Sequence, residues 1–320
     1  MFKLKKGFTY LSLFSGIGAF EKVFNDLSLD PDLIGFSEID KHAIKAYTHL
    51  HNIPLNKSLG DITKIDLDSL PKDIDFVSFG FPCQSISISG NMEGFKKESG
   101  TRSSLLWDVM KLTELLKPKI LIAENVKNLV EAFLPDFMKW IDYLSTIGYK
   151  AHWFLMNSSE YGAIQDRHRV FVLIVRKDID INLILPEKIP LKLGFSHILE
   201  DDYKFSYLNL NKYSLVPVIK RKEVYTQVLY NIPEYNFRRT QQVYSPLKNA
   251  PTLTLRNSFW VLDNFNKVRQ LTGREALRIQ GFSLNDVNKI SEITSNNQML
   301  KLAGNSIEIN TLTSLIKTLI

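Results

Sequence analysis

The first half of the chain alternates apolar runs with amphipathic stretches, and this alternation constrains the fold more than any other feature of the sequence. The apolar runs predict strands at Thr9–Phe14, Leu33–Glu38, Phe76–Phe79, Ile120–Glu124, Lys150–Leu155 and Val170–Val175. Apolar residues recur at helical spacing in Lys41–His51, Ser103–Leu116 and Phe133–Thr146. Strands that alternate with helices predict an α/β fold, in which helices cover both faces of a parallel sheet. Ligands of such a sheet bind at the carboxyl ends of its strands.

The second half of the chain is irregular, basic and rich in tyrosine. Six prolines between positions 182 and 267 interrupt short β-rich runs, which predicts a smaller irregular lobe. Between Tyr203 and Arg274 the sequence has 12 Lys and Arg residues against three acidic residues, and seven of the 12 tyrosines. Basic residues interleaved with aromatic residues suit a polyanion. A solvated lysine-rich surface over packed tyrosines is the alternative, and composition does not decide between them. Helices are predicted again at Thr272–Gln280 and Ser306–Ile320.

Cys83 is the only cysteine among 320 residues, so no disulfide can form within the chain. A lone thiol predicts a reducing, cytoplasmic compartment. The basic segment Met1–Lys6 and the apolar stretch Phe8–Phe20 outline a secretory signal, but polar residues and glycines interrupt the stretch and no small-residue cleavage site follows. We interpret this stretch as a buried strand that enters a glycine turn. No part of the sequence reaches the roughly 18 apolar residues of a membrane helix, so no membrane association is expected.

The first predicted strand runs into a turn that contains Gly16 and Gly18, and two glycines allow a ligand to approach the backbone where a helix begins. A dinucleotide fingerprint has a third glycine where this chain has Glu21, and a carboxylate there would repel a pyrophosphate. The second strand ends at Glu38, about 20 residues after Gly18, which is the sequence distance at which a carboxylate reaches ribose hydroxyls. Asp61, in the next loop, can accept a hydrogen bond from an adenine amino group or cap a helix. The pattern predicts an adenosine-containing ligand without a pyrophosphate, such as S-adenosylmethionine, and a simple tight turn is the alternative.

The lone cysteine follows the predicted strand Phe76–Phe79, within Gly80-Phe81-Pro82-Cys83-Gln84. Pro82 fixes its own backbone and keeps Phe81 extended, so the cysteine is held rigidly at the carboxyl end of a strand. A structural cysteine normally packs as a small apolar residue on a strand or helix face. A cysteine that opens a polar loop therefore predicts a reactive thiol.

Six motifs along the chain resemble those of the DNA cytosine-5 methyltransferase family. In that family's order they are Phe14-Ser15-Gly16-x-Gly18, Gly80-Phe81-Pro82-Cys83-Gln84, Glu124-Asn125-Val126, Gln165-x-Arg167-x-Arg169, Arg274-Glu275-x-x-Arg278-x-Gln280-Gly281-Phe282 and Gly304-Asn305-Ser306. They span nearly the whole chain, which resembles the small bacterial or phage modification enzymes. The resemblance implies a Rossmann-like methyltransferase sheet with helices on both faces, together with a smaller irregular β-rich target-recognition domain.

The resemblance implies a reaction and the residues that perform it. A methyl group would pass from S-adenosylmethionine to carbon 5 of a cytosine flipped out of double-stranded DNA. Cys83 would add to carbon 6 of the ring as a thiolate, and Glu124 would protonate ring nitrogen 3 and bind the exocyclic amine. Arg169 would contact the cytosine carbonyl oxygen, while Arg167 and Gln165 would support the site or a phosphate. The two arginines alternate along a strand approach, so they would share one face. No metal ion is required.

Eleven residues match the family's contacts to the cofactor. They are Phe14, Gly16, Ile17, Gly18, Glu38, Ile39, Asp61, Ile62, Pro82, Leu105 and Asn305. Asn305 comes from the far end of the sequence, which implies that the last helix folds back onto the first strand. Three apolar departures from the family pattern, at Ala19, Ile86 and Leu106-Trp107, imply altered affinity rather than lost activity.

The resemblance also implies a DNA-binding surface. Its residues are Gln84, Ser87 and Ser89 in a lid loop over 84–101, Thr252 beside the flipped base, and Arg238, Arg239 and Arg256 in the target-recognition segment. The expected domains are a catalytic domain of residues 1–190 and 300–320, a target-recognition domain of 191–270 and a hinge segment of 271–299. A monomer suffices to flip one base, and a cognate restriction endonuclease would act as a separate partner.

Two alternatives stay open beside this interpretation. An RNA cytosine-5 methyltransferase would share the catalytic motif, but that branch usually carries a Cys-Phe-Thr element, and this chain has no second cysteine. A sequence-specific DNA-binding protein that has lost catalysis is disfavoured because Cys83, Glu124 and Asn305 are all present. The residues do not reveal the recognition sequence or the base that removes the proton from carbon 5.

Overall fold

The computed structural model describes residues 2–86, 94–96, 100–182, 184–189, 193–201, 205–218, 225–235, 241–254 and 259–320. The chain divides into two compact units: the first comprises 1–156, 168–186 and 312–320, and the second comprises 157–167 and 187–311. Five candidate DNA-binding residues lie outside the described residues, namely Ser87, Ser89, Arg238, Arg239 and Arg256. The division into catalytic, target-recognition and hinge segments stays a prediction.

The first unit is built on a six-stranded sheet. Its elements are β1 (Thr9–Leu13), α1 (Ala19–Asp26), β2 (Asp32–Ser37), α2 (Lys41–His51), β3 (Phe76–Phe79), α3 (Leu106–Leu116), β4 (Ile120–Val126), α4 (Asn128–Glu131), α5 (Leu134–Thr146), β5 (Tyr149–Asn157) and β7 (His168–Arg176). The short strand β6 (Gln165–Asp166) belongs to the second unit, and the last helix, α9 (Ile309–Lys317), begins there and ends in the first. Every strand predicted from the apolar runs is present, with its ends shifted by at most two residues.

The strand order in this sheet is β2-β1-β3-β4-β7-β5. The strands β1 to β4 pair in parallel, as their alternation with helices predicts. The prediction of a wholly parallel sheet is wrong for β7, which pairs with β4 in the antiparallel direction. A parallel crossover needs a long, usually helical connection. The described connection from β5 to its neighbour β7, residues 158–167, is short and contains no α-helix.

Helices cover both faces of the sheet, as predicted, because successive side chains of a strand point to opposite faces. On one face Phe24 of α1 contacts Tyr10 and Phe76, with ring centroids 5.0 and 5.5 Å away. On the other face the strands and the helices α3 and α5 share one buried apolar cluster. Its members include Leu11, Leu13, Val77, Phe79, Val109, Met110, Leu112, Leu116, Phe137, Trp140 and Leu144. The helices bury both faces of the sheet, so a ligand-binding site is expected in the loops at the carboxyl ends of its strands.

A network of polar contacts ties the amino ends of three strands together. The Asp75 carboxylate accepts hydrogen bonds from the backbone nitrogen and hydroxyl of Thr9, at 2.9 and 3.0 Å, and from Lys119 Nζ at 2.7 Å. Burial works to raise the pKa of Asp75, but the hydrogen bonds from Lys119 and Thr9 outweigh it, and this pKa lies below its ordinary value of 3.8.

Replacing Asp75 with Asn should lower the stability at neutral pH by about 1 kcal/mol, because the charge-assisted hydrogen bond to Lys119 is lost and the site is partly solvated. When the pKa of a carboxyl group is lower in the folded than in the unfolded state, its ionisation stabilises the fold at pH values above the unfolded-state pKa. This stabilisation is lost as the pH falls through the folded-state pKa. The stability difference between wild type and Asp75→Asn should therefore shrink as the pH falls below the ordinary pKa of 3.8, and it should vanish once Asp75 is protonated in the folded state. Urea unfolding at several pH values measures it, and a difference that does not depend on pH would contradict the assignment.

The second unit carries a smaller β-rich core. Besides β6, its elements are β8 (Val216–Pro217), β9 (Val228–Asn231), β10 (Gln242–Tyr244), β11 (Ala250–Pro251), β12 (Trp260–Leu262), β13 (Val268–Gln270), α6 (Gly273–Ile279), α7 (Leu284–Ile293) and α8 (Asn296–Asn305). Five strands form a sheet in the order β13-β12-β10-β9-β8, and β6 pairs with β11. A buried ion pair joins this sheet to α6, since Arg269 Nη1 and Nη2 lie 2.9 and 2.7 Å from the two carboxylate oxygens of Glu275.

The helices α7 and α8 were not predicted from the sequence, although their start signals are present. Ser283 and Asp286 form a reciprocal capping box at the start of α7, and Ser295 caps α8. Among the described residues, no helix is long and apolar enough to cross a membrane.

Candidate active site

The glycine turn lies between β1 and α1, at the carboxyl end of the sheet. Phe14, Gly16 and Gly18 all have positive φ, at 52°, 56° and 79°. Glu38 Oε2 accepts a hydrogen bond from the Gly16 backbone nitrogen at 3.0 Å, and Glu38 Oε1 accepts from the backbone nitrogens of Ile39 and Asp40 at 2.7 and 2.9 Å. The carboxylate predicted to reach a ribose therefore also fixes the turn after β1 to the end of β2.

Around this turn the structure leaves room for a ligand. Among the described residues, a Cβ atom added at Gly16, or at Gly60 in the segment between α2 and β3, would meet nothing within 4 Å. Ile39 is 72% exposed directly after Glu38, so an apolar surface is available to a flat ring. Asp61 caps a short 3₁₀ turn, and its Oδ1 accepts hydrogen bonds from the backbone nitrogen and hydroxyl of Thr63, which lower its pKa. Both suggested roles of Asp61 thus remain compatible, because the cap uses only one of its carboxylate oxygens.

Gly18 is required by its conformation and by its surroundings. A Cβ atom there would overlap His51 Nε2 and lie 2.7 Å from His51 Cδ2. Gly7 has nearly the same φ, 78°, but faces open space. It therefore provides a matched control for the effect of backbone strain alone.

With S-adenosylmethionine as the cofactor that the sequence predicts, replacing Gly18 with Ala should reduce the cofactor affinity by at least about tenfold, because the turn must move away from His51. Replacing Gly7 with Ala should cost about 1 kcal/mol of stability through the same backbone strain and leave this affinity unchanged. Isothermal titration calorimetry measures both affinities. Equal losses in the two variants would show that strain, and not the contact with His51, determines the result.

The loop that carries Cys83 is held in place by side chains from two neighbouring segments. Asn125 Nδ2 donates to the Phe81 carbonyl at 3.0 Å, and Ser103 Oγ donates to the Pro82 carbonyl at 2.6 Å. The Cys83 carbonyl accepts from the Ile86 backbone nitrogen at 2.9 Å, which closes a turn. The thiol is half-buried. Asn125 and Ser103 were not among the predicted site residues, although Asn125 lies in the quoted motif Glu124-Asn125-Val126.

Glu124 and Arg169 form an ion pair beside this loop. Arg169 Nε lies 2.9 Å from Glu124 Oε1, and both side chains are mostly buried, at 15% and 13% exposed. Arg169 lies opposite Val126 in the antiparallel pairing of β4 with β7, so these two side chains project on the same face of the sheet. Glu124 lies two residues before Val126 on β4 and therefore projects on that face as well. A Cβ atom at Gly80 would lie 3.6 Å from Glu124 Oε2. The base of the Pro82-Cys83 loop and the carboxylate of Glu124 are therefore direct neighbours.

Several predicted site residues belong to the second unit. One of them, Arg167, binds backbone carbonyls of that unit. Its guanidinium is buried and donates to the carbonyls of Leu253, Gly304 and Ser306 at 3.1, 3.2 and 2.9 Å. Thr252 Oγ1 donates to the Asp166 carbonyl at 2.6 Å, and Gln165 is buried in the pairing of β6 with β11. These contacts join the segments that carry two of the six sequence motifs, at Gln165–Arg167 and Gly304–Ser306, to Thr252 and Leu253. Asn305 ends α8 with an exposed side chain, and its contact with a cofactor stays a prediction.

One argument from the sequence needs correction. Glu21 was expected to present a carboxylate that repels a pyrophosphate. In the structure Glu21 is buried, and its Oε1 accepts a hydrogen bond from the Tyr47 hydroxyl at 2.8 Å. The carboxylate is thus engaged by α2 within the protein.

The fold and the site define a class of protein, an α/β protein with an open glycine turn after one strand and a lone cysteine held at the end of the neighbouring strand. A model of the family described as C-5 cytosine-specific DNA methylase matches residues 8–320. The chain belongs to this family.

Individual relatives agree with that assignment. Type II methyltransferase M2.ScrFI of Lactococcus lactis subsp. cremoris is 36% identical over 272 residues, which are 83% of this chain and 71% of the relative. Type II methyltransferase M.HhaI of Haemophilus parahaemolyticus is 28% identical over 316 residues, 96% of this chain and 92% of the relative. Matches with orphan methyltransferases of Bacillus phages span less than half of those relatives. The solved structure of the Entamoeba histolytica methyltransferase EhMeth has a TM-score of 0.73 at 18% identity and covers 98% of both chains, which shows a shared fold.

These comparisons confirm the predicted family, the fold class and a cytosine-5 methyltransferase function directed at DNA. The RNA alternative is not supported, because the family and its curated relatives are named as DNA methyltransferases. The assignments of individual site residues stay proposals.

Proposed function

We propose that this protein transfers a methyl group from S-adenosylmethionine to carbon 5 of a flipped-out cytosine in double-stranded DNA, with Cys83 as the covalent nucleophile. One observation carries the proposal. The loop that holds Cys83 starts at Gly80, which lies against the carboxylate of Glu124, and Glu124 is paired with Arg169. A nucleophile, a proton donor and a cation thus come from three neighbouring strands of one sheet.

The residues of the first unit fit S-adenosylmethionine. In the described part of the chain no atom lies within 4 Å of where a Cβ atom of Gly16 would be, and Ile39 offers an exposed apolar surface next to Glu38. We assign the methionine part to the turn Phe14–Gly18, the ribose to Glu38, and the adenine ring to Ile39, Asp61 and Ile62. Pro82 and Leu105 complete the part of the proposed pocket that the first unit supplies, and Asn305 stays a predicted cofactor contact. When bound, this cofactor supplies an electrophilic methyl group on a positively charged sulfur.

The remaining chemistry is carried by the side chains of the protein. Carbon 5 of cytosine is a poor nucleophile, and a bond from Cys83 Sγ to carbon 6 makes it electron-rich. Glu124 delivers a proton to ring nitrogen 3 as that bond forms, and Arg169 holds the ring's carbonyl oxygen. Methyl transfer to carbon 5 leaves S-adenosylhomocysteine, and carbon 5 then loses its proton to a base. Ring nitrogen 3 returns its proton to Glu124 as the Sγ to carbon 6 bond breaks, which restores the aromatic ring, the acid and the thiolate. The hydrogen bonds from Asn125 and Ser103 keep the Cys83 loop fixed during this sequence.

DNA must deliver the cytosine outside its helix, because carbon 5 is inaccessible within the base stack. We assign Gln84, which is exposed and accepts a hydrogen bond from Arg102 at 3.0 Å, and Thr252 to the DNA-facing surface. The β-rich core of the second unit is the proposed target-recognition domain. We further propose a monomer that acts in the cytoplasm. If the chain belongs to a restriction-modification pair, the endonuclease acts separately.

Transfer of a radioactive methyl group tests this function directly. Purified protein is incubated with methyl-labelled S-adenosylmethionine and either duplex DNA or total RNA from a host that lacks cytosine methylation. Label in duplex DNA, recovered as 5-methylcytosine, supports the proposal. Label in RNA alone would favour the RNA alternative, and sequence-specific DNA binding without any transfer would favour the catalytically silent DNA-binding protein.

A further inference from the structure

Three side chains support the glycine turn from the side of α1 and α2. Glu21 comes from the first turn of α1, and Tyr47 and His51 come from the second half of α2. We refer to Glu21, Tyr47 and His51 as the turn bracket. We propose that the turn bracket positions the glycine turn for S-adenosylmethionine and so determines cofactor affinity without touching the cofactor. This proposal rests on the proposed use of that cofactor.

His51 holds the peptide between the two glycines. Its Nε2 lies 2.9 Å from the Ile17 carbonyl oxygen, and because a carbonyl can only accept, Nε2 carries the proton in this hydrogen bond. The ring also lies against the Cα of Gly18, with no room for a side chain. The orientation of the Ile17–Gly18 peptide is therefore fixed by a ring that belongs to another helix.

Tyr47 connects His51 to α1 and to β2. Its ring stacks on Phe36 with centroids 4.2 Å apart and meets the His51 ring edge-on at 5.3 Å. Its hydroxyl donates to Glu21 Oε1 at 2.8 Å. Burial, followed by the charge of Glu21, raises the pKa of Tyr47 well above its ordinary value. The phenol therefore keeps its proton and its hydrogen bond to Glu21 at neutral pH.

The turn is consequently held from two sides by one chain segment. Glu38, just before α2, binds the Gly16 backbone nitrogen, and His51, the last residue of α2, binds the Ile17 carbonyl. Both glycines have positive φ. Because glycine can adopt many backbone conformations, contacts from outside the turn are needed to keep it in this one. Fixing these peptides before the cofactor arrives reduces the entropy lost on binding. Removal of the bracket should therefore weaken cofactor binding more than it slows the chemical step.

The experiment compares four variants with the wild type. His51→Ala removes the donor and the ring, His51→Gln keeps a side-chain N–H donor with similar reach, and Tyr47→Phe removes one hydroxyl oxygen. His49→Ala is the matched control, because His49 lies on the same helix with an exposed side chain. Calorimetry gives the dissociation constant for S-adenosylhomocysteine, and steady-state methyl transfer gives kcat and the KM values for cofactor and DNA.

We expect His51→Ala to raise the cofactor dissociation constant about tenfold and Tyr47→Phe to raise it about threefold, as the loss of one hydrogen bond each would do. His51→Gln should stay within about threefold of wild type, and His49→Ala should be unchanged. In all variants kcat at saturating cofactor and KM for DNA should stay within about twofold. In a His51→Ala background the further change Gly18→Ala should cost less affinity than it does alone, because the overlap with the ring is gone.

Specific results would overturn the proposal. If His51→Ala and Tyr47→Phe both bind the cofactor like wild type, the bracket does not position the turn. If kcat and KM for DNA deteriorate in step with the cofactor affinity, and glutamine does not rescue, the residues act on general stability only. Should His51→Ala fail to fold, the nearly isosteric Tyr47→Phe decides, and an unchanged dissociation constant in that variant refutes the bracket. If the wild type itself binds no S-adenosylhomocysteine, the proposed function fails together with this inference.

Discussion

Replacing Cys83 with Ser should abolish methyl transfer while the fold and the cofactor affinity stay intact. Serine has nearly the same size, so the hydrogen bonds that hold the Cys83 loop are unaffected. A hydroxyl has a far higher pKa than a thiol and is a much weaker nucleophile towards carbon 6 when no neighbouring base activates it. We expect the single-turnover rate to fall by at least about a thousandfold, which corresponds to about 4 kcal/mol of transition-state stabilisation.

A covalent trap provides a second measurement on the same variant. A duplex with fluorine in place of hydrogen at the target carbon 5 cannot lose a proton there, so the bond between Cys83 Sγ and carbon 6 should persist after methyl transfer. Wild type should then form a complex with this duplex that survives denaturing electrophoresis, and Cys83→Ser should form none. Methyl transfer by Cys83→Ser at a rate close to that of wild type would remove Cys83 from the mechanism.

The pair formed by Glu124 and Arg169 should show the second-largest effect. Glu124→Gln keeps the size of the side chain but can no longer release a proton to ring nitrogen 3, and Arg169→Leu leaves the carboxylate without its partner at 2.9 Å. We expect each single variant to reduce the single-turnover rate by about a hundredfold to a thousandfold, since general acid catalysis and charge placement contribute on that order. The double variant should be little worse than the worse single variant, because residues that act as a unit have non-additive effects.

Arg176→Leu provides the matched control for Arg169→Leu. Arg176 lies at the other end of β7 and pairs with Asp73 and Asp178, so its loss removes a strand arginine and its ion pairs without touching Glu124. Its single-turnover rate should remain within about twofold of wild type. Multiplicative losses in the Glu124→Gln and Arg169→Leu double variant would show that the two side chains act independently.

The sequence alone predicts the first unit well, because its signals are local. The apolar runs at β1 to β4 are bounded by turns, and the amphipathic periods of α2, α3 and α5 are regular, so each element can be recognised without its neighbours. The order of Gly16, Glu38 and Cys83 after the successive strands β1, β2 and β3 predicts that these three residues gather at one edge of the sheet. That inference needs only the parallel topology of β1, β2 and β3, which the structure confirms.

What the sequence does not reveal depends on contacts between distant segments. The direction of β7 follows from the short connection that precedes it, and this direction places Arg169 beside Glu124. No local pattern indicates that Asn125 and Ser103 bind the carbonyls of the Cys83 loop, or that Tyr47 and His51 support the glycine turn. A hydrogen bond from a side chain to a remote backbone carbonyl requires a suitable position in space, and many residue types with a side-chain donor can make it.

Sequence-resolved mapping of 5-methylcytosine in the DNA of a methylation-free host tests the central claim most directly. One culture expresses the wild type and another expresses Cys83→Ser at the same level. We predict complete methylation of one cytosine within one short sequence motif in the first culture and none in the second. Unmodified DNA from a culture that contains folded wild-type protein would contradict the assignment of this chain as an active DNA cytosine-5 methyltransferase.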